Sequence, residues 1–292
     1  MPEHTIAENL TRLQNAKTAI GNAITAKGGT VGANDGLEDF ASDIASIPSG
    51  GGVEFSNSPT AFRLLTNIRN LDVVVPSGIT SIGEVQDAGE KSAFYNCEGL
   101  RSIIIPNTVT LIGDNAFNGC KGLTSIELPN SITTIRGAAF SNCINLERIN
   151  LPNALTFIGG STFSNCAIRS LDLPNTVTTM GASSFSSCSS LESIKLSTGL
   201  TVLNASMFSY CINLKNIEIP NNITSIGNNV FQNCTGLEYI KFTSVTPPTI
   251  GGAKTFQNVP TTCIIYVPSG SLSDYTSAQY YPDSNTYTYV EY

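Results

Sequence analysis

Most of this chain repeats one short pattern of apolar residues, and the pattern usually ends with a proline. In residues 123–129 the pattern reads Leu-Thr-Ser-Ile-Glu-Leu-Pro. Ile126 and Leu128 alternate with Glu127, and a period of two is typical of a strand with one buried face. Proline ends the strand because it has no N–H for a sheet ladder, and the asparagine after it favours a turn. Each unit therefore predicts a short strand and a turn, followed by a second short strand or turn such as residues 132–135.

The unit recurs at a fixed spacing. Each copy contains a phenylalanine with a cysteine three residues after it, and these two residues show the spacing most clearly. The phenylalanines are 23 residues apart, with a single step of 22 after Phe163. A repeat of roughly 20–29 residues is the signature of a leucine-rich-repeat-type solenoid, in which each unit packs only on its neighbours. The predicted core of the solenoid consists of Phe94, Phe117, Phe140, Phe163, Phe185, Phe208 and Phe231, together with Cys97, Cys120, Cys143, Cys166, Cys188, Cys211 and Cys234.

The first 48 residues carry a helical pattern instead. Thr5 and Glu8 have the spacing of a capping box at a helix N-terminus, and Pro48 ends a second apolar series. The sequence therefore predicts a small α-helical hairpin over residues 1–48. The apolar seam of the first helix has heptad spacing. Two alternatives follow: residues 5–27 either pack on their own domain or form a short coiled coil that makes a homotrimer.

The rest of the chain divides at residues 49–52, Ser-Gly-Gly-Gly, which form the predicted linker. The solenoid is predicted over residues 53–292. Because a terminal repeat turns one face to solvent, we expect an atypical N-terminal cap over residues 53–76 and a C-terminal cap over residues 243–292. The fold class is thus mostly β with short helical or 3-10 segments, a leucine-rich-repeat solenoid of 23-residue repeats preceded by the helical hairpin.

Composition limits the partners. Charged residues make up 13% of the chain, and the net charge is −7 with a pI near 4.7. Such a chain is not expected to bind nucleic acid, which needs clustered Lys and Arg. No apolar run approaches the ~18 residues that span a bilayer, so we expect no membrane insertion. The N-terminus lacks the pattern of a secretory signal; if Met1 is the natural start, export by the usual route is not expected.

The repeated cysteines could be metal ligands, disulfides or buried thiols. Zinc sites need pairs such as Cys-x-x-Cys, often with histidine, and the lone histidine, His4, lies far away in the sequence. Seven equivalent cysteines cannot all pair, and free cysteine behaves as a small buried hydrophobe. We therefore interpret them as buried thiols and expect no metal, no cofactor and no nucleophile–histidine catalysis. The chain is predicted not to be an enzyme.

Two surfaces are candidates for ligand binding. One is the outward position of each predicted strand, which gives a ladder of Glu127, Asn150, Asp172, Lys195, Glu218 and Lys241. The alternative interpretation of this ladder is a solvated surface. The other candidate is an exposed aromatic rim at the C-terminus, formed by Tyr275, Tyr280, Tyr281, Tyr287 and Tyr289. Tyrosine supplies rigid amphipathic contacts to ligands, and the alternative is ordinary capping of the last repeat.

The repeated order Ile-Gly-x-x-x-Phe-x-x-Cys-x-x-Leu-x-x-Ile-x-Leu-Pro, seen in residues 112–129, resembles the BspA-like leucine-rich repeats. The resemblance covers roughly residues 60–275. It implies a right-handed solenoid with parallel sheets, a role in adhesion or protein binding on microbial surfaces, and no catalysis. Separately, residues 16–30 and 37–48 resemble a helical module at the start of tail and baseplate proteins of phages that infect Firmicutes.

Two hypotheses of function follow from these resemblances. In the first, the chain is a receptor-binding protein of a phage or prophage tail, located in the virion, that binds a protein or cell-surface glycan. In the second, it is an adhesin of the bacterial cell surface that binds host proteins or glycans. A carbohydrate-active enzyme is a third and weaker hypothesis, because glycosidase chemistry needs two carboxylates across a cleft.

Overall fold

The computed structural model describes residues 61–62, 71–75, 78–83 and 93–292. The predicted helical hairpin, the linker, the possible coiled coil over residues 5–27 and most of the N-terminal cap lie outside these residues. Over the described part the chain winds as a solenoid of parallel strands. Each turn, called a rung below, contains a long strand, a short strand and a turn segment that carries the phenylalanine and the cysteine.

The long strands stack side by side along one side of the solenoid. Their apolar residues point inward because inward and outward side chains alternate, as in Ser125–Glu127, where only Ile126 is buried. Ile194 lies opposite Ile217, and Ile217 opposite Ile240, so each isoleucine packs on its equivalent in the next rung. The long strands are β2 (Leu71–Val74), β4 (Leu100–Ile104), β6 (Ser125–Glu127), β8 (Arg148–Asn150), β10 (Ser170–Asp172), β12 (Ser193–Lys195), β14 (Asn216–Ile219), β16 (Tyr239–Phe242), β18 (Ile264–Val267) and β19 (Thr288–Glu291).

The short strands form a second parallel ladder on another side. Each has two residues, and from β3 onward the second is the more deeply buried, so that Ile112, Ile135 and Ile158 stack in register. These strands are β1 (Ala61–Phe62), β3 (Ser81–Ile82), β5 (Leu111–Ile112), β7 (Thr134–Ile135), β9 (Phe157–Ile158), β11 (Thr179–Met180), β13 (Val202–Leu203), β15 (Ser225–Ile226) and β17 (Thr249–Ile250). Within the described residues the only helix is α1 (Leu272–Ser277).

Both ladders are interrupted. The long ladder breaks between β4 and β6 and again between β8 and β10. The second break lies next to the one 22-residue step, where Ile168 takes the buried leucine position. The short ladder breaks between β11 and β13, where Asn204 stands at a position that glycine takes in most rungs. Arg136 takes the same position after β7, which stays paired on both sides. A Cβ at the equivalent Gly227 would lie 2.6 Å from a backbone nitrogen of the preceding rung. At Asn204 the side-chain Nδ2 donates to the Met180 carbonyl instead, at 2.5 Å.

The turn segments bring the phenylalanines into one continuous stack. All seven predicted rings are fully buried, and Phe256 adds an eighth. Neighbouring ring centroids are 5.0–6.0 Å apart with interplanar angles of 3–25°. The segments are also joined by backbone bonds, such as Phe117 N–H to Ala139 O at 2.7 Å. The stack therefore runs along the axis of the solenoid and is tied to it at every rung.

The two ladders continue past residue 243. β17 pairs with β15 and β18 pairs with β16, so the predicted C-terminal cap over residues 243–292 contains one more complete rung. Only α1, β19 and the residues that connect them follow this rung. β19 then adds a last parallel strand beside β18.

We expect Phe163→Ala to destabilise the protein by about 3–5 kcal/mol, because truncation of a buried phenylalanine removes apolar contacts and leaves a cavity. Phe157→Ala is the matched control, since that ring lies on a short strand with 37% of its surface exposed. Chemical denaturation measures both variants. A loss below about 1 kcal/mol for Phe163→Ala, or equal losses for the two variants, would contradict the role given to the stack.

Candidate functional site

The predicted ladder lies on the outer face of the long strands, called the strand face below. Five of its six residues are exposed, and Lys241 is half-buried. The structure places them opposite one another across neighbouring strands, as Glu127 beside Asn150, Asp172 beside Lys195 and Glu218 beside Lys241. The six residues therefore form one column that crosses the rungs.

Asn150 differs from the other members of the column. Its Oδ1 accepts the backbone N–H of Leu128 at 2.8 Å, and its Nδ2 lies 3.5 Å from the Leu128 carbonyl oxygen. The amide thus completes the ladder between β6 and β8 at the rung before the sheet interruption. This contact gives Asn150 a structural role.

A second charged column runs parallel to the first and was missed by the sequence analysis. It consists of Arg169, Glu192, Lys215 and Glu238, each directly after the buried leucine or isoleucine that precedes a long strand. Aligning the repeats on that leucine reveals the column in the sequence. Its signs alternate from rung to rung, and within each rung they oppose the sign of the first column: Arg169 with Asp172, Glu192 with Lys195, Lys215 with Glu218 and Glu238 with Lys241.

The eight charges therefore form a checkerboard over four successive rungs. Lys215 Nζ lies 3.5 Å from Glu238 Oε1, and Lys241 Nζ lies 3.1 Å from Glu218 Oε2. The hydrogen bond to Glu218 raises the pKa of Lys241. These pairs are exposed to solvent, so each contributes only about 0–1 kcal/mol. Their main consequence is a strand face that is rich in charge and locally neutral.

Tyrosines replace charges at the C-terminal end of the strand face. Tyr239 and Tyr266 make an edge-to-face contact with ring centroids 5.6 Å apart. Tyr292 lies beside them with its ring centroid 4.7 Å from Lys241 Nζ, an attractive cation–π arrangement. These three residues, called the aromatic patch below, continue the strand face directly from Lys241, whose strand neighbour is Tyr266.

The predicted aromatic rim is mostly not a surface, which corrects the sequence analysis. Tyr275 is fully buried, and Tyr281, Tyr287 and Tyr289 are partly buried against the core. Of the five predicted residues only Tyr280 is exposed, at 45%. The reason is that the core of the last rung needs a cover, and tyrosine rings provide one.

The hydroxyls of the rim also have internal partners. Tyr275 donates to Ser244 O at 2.7 Å, and Tyr281 donates to Pro248 O at 2.8 Å. Tyr287 and Tyr289 donate to the carbonyls of Val259 and Pro282, each at 2.8 Å. Burial raises the pKa of all four phenols. The rings thus close the solenoid while satisfying backbone carbonyls that would otherwise be left without donors.

The cysteines form a second internal column beside the phenylalanine stack. All eight are free and buried, Cys263 being the eighth. Each thiol from Cys120 to Cys234 donates to the phenylalanine carbonyl of the preceding rung, at sulfur–oxygen distances of 3.0–3.2 Å. Burial raises the pKa of Cys97 to about 11 and that of Cys188 to about 12. These two thiols therefore stay protonated at neutral pH. The column as a whole serves as a set of buried packing groups with a weak donor.

A shallow depression lies on the opposite side, between the short strands and the turn segments. Asp114, Arg136 and Phe157 line it together with glycines. Asp114 Oδ1 accepts the N–H of Gly137 at 2.8 Å, so this carboxylate also links two rungs. Across the described ranges no group of three His, Cys, Asp or Glu side chains is arranged to hold a metal ion. The same ranges contain no helix of sufficient length and apolar character to cross a membrane.

Stacked parallel strands, a phenylalanine–cysteine interior and an exposed strand face define a leucine-rich-repeat solenoid. The chain belongs to the BspA-type leucine-rich repeat region family, whose model matches residues 87–167 and 156–281. This family indicates a role in binding.

Solved structures agree with the fold. A leucine-rich repeat protein of T. pallidum is 29% identical over 66% of this chain and 90% of its own, with a TM-score of 0.54. A leucine-rich repeat protein from Bacteroides ovatus is 24% identical over 84% of this chain and 76% of its own, with a TM-score of 0.51. No curated protein matches the chain.

We expect the double change Glu192→Lys with Lys195→Glu to destabilise the protein by about 1–2 kcal/mol, because like charges opposite one another in a sheet repel. The new lysine would lie between Arg169 and Lys215, and the new glutamate between Asp172 and Glu218. Net charge and composition stay the same. Urea denaturation at low salt measures the loss.

Two comparisons make this result specific. The double change Glu192→Gln with Lys195→Gln removes both charges without placing like charges together, so it should cost less. In ~1 M salt the Debye length falls to about 3 Å, and the loss caused by the charge swap should shrink. A swap that costs no more than the glutamine pair at low salt would contradict the checkerboard account.

Proposed function

We propose that this chain is a non-enzymatic adhesion protein that binds a protein or a cell-surface glycan through its strand face. The observation that carries the proposal is the continuity of this face, on which paired charges pass directly into the aromatic patch at Lys241 and Tyr266. A continuous sheet from β10 to β19 holds the part of the face that runs from Asp172 to the aromatic patch, so little ordering cost accompanies binding there.

The chemistry of the face supports a partner of mixed or neutral charge. Opposite charges of neighbouring rungs already neutralise one another, as Lys215 and Glu238 do. Tyrosine is enriched at the centres of protein interfaces. In the described residues, the hydroxyls of Tyr239 and Tyr266 have no protein partner, and they are therefore available to a ligand.

We further propose the tail of a phage or prophage, and hence the virion, as the location of this binding protein. The helical-module resemblance of residues 16–30 and 37–48 supports this proposal, with the first helix as an attachment or trimerisation element. The alternative is a bacterial cell-surface adhesin that binds host proteins or glycans. Membership of the repeat family supports the adhesin equally well.

The binding proposal is tested with arrays of immobilised glycans and extracellular-matrix proteins. Once a ligand is detected, the double change Tyr239→Ala with Tyr266→Ala should weaken binding at least tenfold, because both rings lie at the proposed contact. Tyr210→Ala is the matched control, since that tyrosine is 52% exposed on a turn segment. Equal effects of the tyrosine variants, or unchanged affinity in both, would contradict binding through the strand face.

The tail proposal predicts the oligomeric state. We expect light scattering to give a trimer for the whole chain and a monomer for a chain that begins at Gly50, because the heptad seam is then removed. A monomeric whole chain would contradict the coiled coil and favour a single-chain adhesin. A trimer that survives the truncation would place the contact in the solenoid.

A further inference from the structure

The last strand of the long ladder has one open edge. β19 (Thr288–Glu291) pairs with β18 on one side, and within the described residues no strand lies on its other side. The N–H of Tyr292 donates towards β18, to Val267 O at 3.2 Å. Because successive residues of a strand direct their N–H groups to opposite edges, those of Tyr289 and Glu291 point to the open edge. Such an edge is a template for another extended chain.

Apart from its short length, β19 has little of the protection that edge strands usually carry. Natural edges carry lysine, proline, a bulge or an inward charge that discourages pairing. β19 reads Thr-Tyr-Val-Glu, so its one charge is Glu291. The Oε1 atom of Glu291 accepts the N–H groups of Gly270, at 2.8 Å, and Leu272, at 3.3 Å. The carboxylate is thereby held at the start of α1, on the side of β18, and does not guard the open edge.

The side chains beside the edge are apolar and held in place. Val290 is 36% exposed and Tyr292 is 50% exposed on the strand face. The hydroxyl of Tyr292 donates to Phe242 O at 3.0 Å, which fixes the ring across the end of β18. Directly opposite side chains of paired strands lie about 4.5–5.5 Å apart. An added strand would therefore place alternate side chains against Thr288 and Val290, next to the exposed side of Tyr292.

We propose that the open edge of β19 is a docking site for an extended peptide segment of a partner protein, which adds to the long ladder as a further strand. Backbone pairing with Tyr289 and Glu291 supplies the affinity, and apolar side chains at alternate positions of the segment supply the selectivity through Val290. An uncharged or basic segment fits best, because the chain carries a net charge of −7. The site is separate from the charged columns and does not require them to bind anything.

The dimensions of the edge favour a peptide over a second copy of this chain. Stable protein pairs bury about 800 Å² on each partner, and β19 offers only four residues. Two copies also carry the same net negative charge, which opposes their approach. A single extended segment needs only the four-residue edge and a few apolar contacts.

The test uses the whole chain and a fluorescent synthetic peptide with the sequence of residues 260–269 and Cys263→Ser. This peptide contains the sequence of β18, which pairs with β19 inside the protein. Fluorescence anisotropy should show saturable binding, weakened at least tenfold by Val290→Lys. Val74→Lys is the matched control, because Val74 is 69% exposed at the other end of the long ladder; it should leave the affinity unchanged.

A second measurement leaves the protein unaltered. Alternate residues of the bound peptide direct their N–H groups towards β19. N-methylation of this set of residues removes those donors and should abolish binding. The double change Glu192→Gln with Lys195→Gln, in the charged columns away from β19, should leave peptide binding intact, which separates this site from the charged part of the strand face. Absence of saturable binding, or binding unaffected by N-methylation, would overturn the proposal. A concentration-dependent dimer that Val290→Lys dissolves would also overturn it, since a second copy would then occupy the edge.

Discussion

The structure depends on one requirement. Each residue of a rung must stack directly on the equivalent residue of the neighbouring rung. Strands in a sheet are about 4.8 Å apart, and the phenyl rings, at 5.0–6.0 Å between centroids, are slightly offset at that spacing. Offset stacking is the favoured arrangement of parallel aromatic rings. Burial of each ring is worth roughly 1.5–3 kcal/mol. The thiols from Cys120 to Cys234 fit the same constraint, because each bonds to a carbonyl of the preceding turn segment.

The same constraint explains the surface. In a stack of equivalent rungs any outward side chain meets its own equivalent above and below, so a repeated charge would repel itself along the whole column. The chain alternates sign in two columns, and ion pairs such as Lys241 with Glu218 join neighbouring rungs. Polar amides and hydroxyls need no alternation, which accounts for columns such as Thr133 and Thr156, whose hydroxyls donate to the preceding rung. The strand face thus carries a charge pattern that changes from rung to rung, and we propose that the binding function lies there.

The repeat could be predicted from the sequence because its contacts join equivalent residues at a constant separation along the chain. Phe140 meets Phe163 and Ile126 meets Ile149 at the same offset, so the spacing in the chain is the spacing in space. The alternation that placed Glu127 outward and Ile126 inward has the same local origin. The C-terminal tyrosines could not be predicted in this way. Tyr275 bonds to Ser244, 31 residues earlier, and packs on Phe242, and no repeat relates these residues. The sequence therefore left an exposed rim and ordinary capping open for these tyrosines, and the structure has them mostly as a cap.

Each rung folds through the same contacts with its neighbours, and the sharpest test of this is the deletion of one complete rung. Removal of residues 118–140 joins Phe117 to Ser141 and keeps every remaining residue in register. We expect the shortened chain to be a soluble protein with one cooperative urea transition, and its solenoid to be shorter by about 4.8 Å in solution scattering. A chain that loses cooperative unfolding after this deletion, while a control deletion of residues 118–137 behaves no worse, would contradict the claim.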